Sequence, residues 1–185
     1  INYPLKAVVC DESMGEIAQV ARKVFPDVII QTCLTHYSKC IEREFRVNGV
    51  KKTMKKLERQ LEKLGESHFI PTHHHSQLKA IRLTNSLADL EFEYGYLIKV
   101  QEIFHEIFWK AGTPGELTEA EDKLNIVISR IDLETYPYSA EIRRRYLDYY
   151  RKTDQITAAI RHPELRIPKT TNLIEGFNST TLELR

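Results

Sequence analysis

Cysteine is scarce in this sequence, three residues in 185. An odd count of so few argues against a disulfide framework and for a reducing compartment, so a cytoplasmic location is expected. Long hydrophobic runs are missing as well: no apolar stretch approaches the length that spans a bilayer. No basic-then-apolar leader is recognisable, so neither secretion nor a membrane is indicated. There is no evident internal repeat. Net charge is nearly absent too, at +1.

What is present is the balance of a soluble globular protein, with 29% charged and 42% apolar residues. The small net charge hides a local asymmetry. Residues 41–64 hold eight Lys/Arg against four Asp/Glu, residues 141–170 repeat that excess, and residues 116–135 carry six acids against two bases. Two basic segments around an acidic one suit a polyanion, and they equally suit solvated helix faces. The sequence opens on Ile1 and stops at Arg185 within a helical pattern, so an excised piece of a longer protein is expected.

The run Leu5-Lys6-Ala7-Val8-Val9-Cys10 reads as a buried strand that ends on Asp11. Ser13 and Glu16 have capping-box spacing, and Ile17, Val20, Ala21 and Val24 continue a helix until Phe25-Pro26. Residues 27–32, β-branched and short, read as a second strand. Strand, helix and strand in under thirty residues predict a βαβ unit with parallel strands and a right-handed crossover. Two parallel strands do not make a viable sheet alone, so further strands are expected before Ile1.

After Cys33 the pattern is helical. Val50, Met54, Leu57, Leu61 and Leu64 form one stripe, with Gly65 as its stop. Leu78 to Leu90 suggest a second helix, and Phe92 to Phe108 a third ended by Gly112 and Pro114. Thr118 to Glu121 have capping-box spacing ahead of Leu124, Val127, Ile128 and Ile131. Ile142, Tyr146, Leu147 and Tyr150 mark another helix, and Ile156 and Ile160 a short last one before Pro163. Such helices bury their stripes against one another. The expected class is α/β with helix dominating: residues 1–40 as a β-α-β core segment, 41–166 as an all-helical insertion, and 167–185 as a core helix capped by Asn172.

Asp11 stands at the carboxyl edge of a strand, where open α/β folds place ligands. Because Ser13 and Glu16 satisfy the helix start, Asp11 is either a ligand-facing acid or a solvated turn carboxylate. Glu175 has two readings as well: a capping partner of Asn172, or a second acid brought beside Asp11 to hold a hard divalent cation. Cys33, His36 and Cys40 fall at i, i+3 and i+7. A structural zinc site there wants a fourth ligand from His73 to His75, and buried packing of the thiols is preferred over zinc. Trp109, the only tryptophan, packs in the core or stacks a displaced base. Lys51, Lys52, Lys55, Lys56 and Arg59 lie off the apolar stripe, as do several of Arg143 to Arg145, Arg143 and Arg144 among them, where they touch phosphate or simply keep the surface solvated.

Taken in order, Val8-Val9-Cys10-Asp11, Val24-Phe25-Pro26, Gln31-Thr32-Cys33-Leu34-Thr35-His36 and Thr170-Thr171-Asn172-Leu173-Ile174-Glu175-Gly176-Phe177-Asn178 resemble Mutator-like bacterial insertion-sequence transposases. The resemblance covers about the first forty and last sixteen residues, and the intervening helices match in kind only. It implies a ribonuclease-H-like core with a helical insertion and an Asp-Asp-Glu (DDE) triad, of which Asp11 would be the second acid and Glu175 the third. Cys33 and His36 match a Cys-x-x-His motif near that site. The first Asp belongs on a strand upstream of Asp11, so this stretch alone is expected to be inactive. The resemblance further implies Mg2+ or Mn2+, double-stranded DNA at transposon ends and target, a homo-oligomer in the active complex, and a nucleoid-associated location. The competing expectation is a non-catalytic helical module that binds DNA or a partner helix.

Overall fold

A computed structural model describes residues 5–11, 15–66, 74–131 and 139–171. Strand β1 (Ala7–Cys10) and strand β2 (Ile29–Thr32) pair in parallel, in the register Ala7↔Ile29 to Cys10↔Thr32. Helix α1 (Gly15–Val24) makes the crossover between them. The expected βαβ unit is therefore present, and β-branched Val8, Val9, Ile29 and Ile30 account for its strands.

Alternation along the strands sorts their side chains onto two faces. Val8, Cys10, Val28 and Ile30 form a small cluster with Ala18 and Ala21 of α1. Of the apolar positions expected on α1, Ala21 faces inward, whereas Ile17, Val20 and Val24 are exposed and the small Ala18 is buried instead. Two strands offer α1 only a narrow surface, which alanines reach at close approach. On the other face, Gln31 is fully buried against the ends of two later helices.

Helices α2 (Leu34–Phe45), α3 (Val47–Glu66), α4 (His74–His105), α5 (Pro114–Ile131), α6 (Ser139–Ile156) and the single turn α7 (Ala158–Arg161) follow. Helix thus dominates a chain whose described sheet has two strands. The two helices expected over residues 78–108 are one. No proline interrupts residues 74–105, and Gly95 is absorbed without a break. After α4 the backbone loosens into a π-helical turn, Glu106–Lys110, closed by the Ala111 amide on the Glu106 carbonyl at 2.9 Å.

The main core gathers α2, the second half of α4, α5 and α6. Phe104 and Phe108 stack with ring centroids 5.6 Å apart, and the Tyr37 and Tyr149 rings meet them edge-on at 5.7 Å. Leu34 and Tyr37 belong to this core, and α2 runs through residue 40 without interruption. Helix α3 packs mainly on α4, so the pair forms an arm with Val50 buried at its base. Arg46 makes the bend into α3 in the left-handed region, at φ 48°.

The cap of α5 is not the expected Thr118–Glu121 box. Thr113 Oγ1 accepts from the Glu116 amide at 3.3 Å, and Glu116 Oε2 accepts from the Gly112 and Thr113 amides at 2.8 and 3.1 Å. Pro114 at the first helical position completes this start. Glu121 serves elsewhere. It accepts from Tyr149 Oη at 2.6 Å, Thr153 Oγ1 at 3.1 Å and Arg161 at 3.3 Å, tying α5 to α6 and α7. Burial, with the Glu121 contact, pushes the Tyr149 hydroxyl far above its ordinary range.

Candidate functional site at the strand ends

The parallel register carries Asp11 and Cys33 off the same end of the strand pair. The Cys33 amide donates to the Cys10 carbonyl at 2.8 Å, extending the ladder by one bond past Cys10↔Thr32. Cys33 then becomes the N-cap residue of α2, and His36 lies in its first turn. Strand ladder and helix start together fix the three side chains: Asp11, Cys33 and His36 have ligand atoms all within 4.8 Å of one another.

His36 Nδ1 stands 2.8 Å from Asp11 Oδ1 and 3.2 Å from Cys33 Sγ. The side chains of His36 and Asp11 are 35% and 23% exposed, whereas Cys33 is fully buried. Asp11 therefore sits at the edge of solvent and not in the apolar interior. Its Oδ1 is buried and accepts no hydrogen bond among the described residues; the His36 imidazole stands in ion-pair distance of it. A buried carboxylate oxygen without a proton donor fits a cation.

The fourth participant comes from far along the chain. Thr171 Oγ1 lies 3.5 Å from Cys33 Sγ, and the Leu34 amide donates to the Lys169 carbonyl at 2.9 Å. Burial, the largest influence, pushes the Cys33 thiol up, but hydrogen bonds with Thr171 and His36 outweigh it and the net displacement is downward. Neighbouring Cys10 goes the other way, raised by burial and by the charge of Asp11. Lys169 anchors the segment: its Nζ donates to the Phe108 and Ala111 carbonyls at 3.0 Å each, and burial lowers its pKa.

A nucleophilic Cys-His-Asp relay does not describe this cluster. Such a relay uses both ring nitrogens, one for the nucleophile and one for the acid. Here Cys33 Sγ and Asp11 Oδ1 both face Nδ1, and the thiol is sealed from solvent. A cage of ligands around a shared point is the better description. Cys40, which shares the i, i+3, i+7 spacing with Cys33 and His36, is not part of it and accepts from Arg43 at 3.7 Å.

Other expected site residues lie apart. Glu175, Asn172, Ser13 and His73 fall outside the described residues. Trp109 is 38% exposed on the π-helical turn, between buried Phe108 and exposed Lys110. Its core-packing reading is not what the structure displays. Lys51, Lys52, Lys55, Lys56 and Arg59 are exposed on α3, and a groove of about 410 Å³ is lined by five cations of that helix, from Lys52 to Lys63. Arg143 and Arg144 are exposed on α6, but Arg144 pairs with Glu44 of α2 at 2.9 Å.

Sequence reading missed the partner of Arg145. This residue is buried, forms an ion pair with Glu44, donates to Asp148 at 3.3 Å and lies 5.6 Å over the Tyr37 ring. The only signal was an arginine run, and nothing local distinguishes its inward member. Comparison with protein-family models, with curated proteins and with solved structures finds no match for this chain.

Proposed function

We propose that this chain carries two acids of a Mutator-like DNA transposase, Asp11 and Glu175, within a ribonuclease-H-like core (residues 1–40 and 167–185) interrupted by a helical insertion (41–166). One observation carries the reading. Three stretches that resemble transposase motifs, separated by up to 160 positions (171 minus 11), meet at one point: Asp11, the Cys33–His36 pair and Thr171. Glu175 follows Thr171 by four positions, a span of at most about 14 Å.

In this reading Asp11 and Glu175 would hold Mg2+ or Mn2+, which supplies Lewis-acid stabilisation of the attacking and leaving oxygens at phosphorus. Asp11 contributes the orphaned oxygen at the strand end. His36 places an imidazole nitrogen 2.8 Å from that oxygen. The basic face of α3 and the exposed Trp109 would contact double-stranded DNA at element ends and target, with a homo-oligomer bringing both together.

The test is Mn2+-dependent nicking and strand transfer on an element-end oligonucleotide by the full-length protein. Asp11→Ala and Glu175→Ala each abolish nicking while leaving DNA binding in place. Nicking that survives in both variants removes the assignment.

The cations along α3 favour a second reading, a non-catalytic module that binds a polyanion. In that case Lys52→Glu with Lys56→Glu weakens DNA binding and flattens its salt dependence, while no divalent cation elicits cleavage from the unaltered protein.

A further inference from the structure

We infer that Asp11, Cys33 and His36 form a binding site for a borderline divalent ion of the zinc class, with one carboxylate oxygen, one thiolate sulfur and one imidazole nitrogen as ligands. The inference does not depend on the transposase reading, because the donors are assembled whether or not the protein acts on DNA.

The donor set itself selects the ion. Mg2+ and Mn2+ favour oxygen ligands, whereas thiolate and imidazole together favour Zn2+ or Co2+. Spacing agrees with that chemistry. Zinc bonds of about 2.3 Å to sulfur and about 2.0–2.1 Å to nitrogen and oxygen imply tetrahedral N···S and N···O separations of roughly 3.6 and 3.4 Å. The corresponding distances here are 3.2 and 2.8 Å, so these two separations widen by roughly 0.4 and 0.6 Å on metal entry. Rotation of the partly exposed His36 and Asp11 side chains supplies that.

The surroundings are built for it as well. Asp11 Oδ1 is buried and accepts no hydrogen bond among the described residues, its one close polar neighbour being the His36 Nδ1 that would share the ion. Thr171 Oγ1, at 3.5 Å from Cys33 Sγ, is placed to hydrogen-bond the metal-bound sulfur. Three protein ligands leave the fourth position to water, as in open zinc sites. Binding replaces the Cys33 S–H proton with the metal and releases that proton to solvent. Because Asp11 is shared, zinc-class occupancy competes with any Mg2+ that Asp11 would hold.

Co2+ is the probe. Titrated into the reduced full-length protein without DNA, it produces a sulfur-to-cobalt charge-transfer band that added Zn2+ erases. Cys33→Ser abolishes the band, and the Cys10→Ser, Cys40→Ser double variant keeps it. His36→Gln and Asp11→Asn, at partly exposed positions that leave the core intact, each weaken Co2+ binding by about tenfold or more. The inference is overturned if the unaltered protein gives no such band, if the band survives Cys33→Ser, or if His36→Gln and Asp11→Asn bind Co2+ as the unaltered protein does. Cobalt binding without nicking refutes only the transposase reading, and nicking without a cobalt band refutes only the present one.

Discussion

Gln31 and Ala159, 128 positions apart, are joined by a 2.6 Å hydrogen bond from the Ala159 amide to the Gln31 side-chain carbonyl. The same side chain donates to the Ile156 carbonyl at 2.9 Å and to the Thr32 carbonyl at 2.7 Å. One buried amide on the strand pair thus satisfies both sides of the break between α6 and α7, where helix ends leave amides and carbonyls orphaned.

Gln31→Leu keeps the volume and removes both functions, leaving an orphaned amide and carbonyl in the interior. A loss of about 2–4 kcal/mol is expected, read as a lower urea midpoint. Gln31→Glu keeps the acceptor for Ala159 but cannot donate to Ile156 when ionised, so it falls between the two. Equal stability for Gln31→Leu and the unaltered protein would show that the bridge contributes nothing.

Glu93 is 3% exposed on α4, its Oε2 without a hydrogen-bond partner among the described residues. Burial, reinforced by Asp89 one turn away, raises its carboxyl pKa. The folded state therefore binds this proton more tightly than the unfolded one does. That contribution is complete below the ordinary carboxyl value of 4.5 and is lost as pH rises through the raised value. Glu93→Gln should raise the melting temperature at pH 7 and have little effect near pH 4. A variant that is less stable at pH 7 would mean that the carboxylate has a favourable partner.

Gly95 lies inside α4, and nothing approaches within 4 Å of the position a Cβ would take. Gly95→Ala should stabilise the helix by about 0.5–1 kcal/mol, an increase of roughly 1–4 °C in melting temperature for a chain of this size. A decrease would place something against this face of α4.

Thr113→Ala removes the cap of α5 and should cost about 1 kcal/mol. Glu116 has its carboxyl pKa lowered by hydrogen bonds from the Gly112 and Thr113 amides and from the Thr113 side chain. Its stabilisation is present above the ordinary carboxyl value and is lost as pH falls through the lowered one. Glu116→Gln should therefore reduce stability at neutral pH and lessen the acid sensitivity, measured as melting temperature against pH. Thr118→Ala, at the box that sequence spacing favours, should leave the α5 start intact.

That pair of boxes shows where the sequence could be read and where it could not. Spacing alone cannot choose between Thr113–Glu116 and Thr118–Glu121, because both satisfy the pattern. The choice is made by Tyr149 and Arg161, which claim Glu121 from α6 and α7. Strand, crossover and strand were legible because their periodicity is local. The α1 face was not, since which residues turn inward depends on how much sheet lies beneath them. At the site, Cys33 and His36 were visible as a motif and Asp11 as a strand-end acid. Their meeting follows from the parallel register, which no single segment encodes, and helical spacing alone, which groups Cys40 with Cys33 and His36, does not reveal it.

Helix α4 is 32 residues long and unbroken, a rod of about 48 Å at the usual rise per residue. One end carries the arm with the α3 cations, and the other runs into the turn whose carbonyls hold Lys169. The second half of α4 is embedded in the core, so only the first half, about 24 Å at the same rise, stands out with α3 as an arm. The basic arm and the segment that brings Thr171 to the site are thus attached to opposite ends of one continuous helical run.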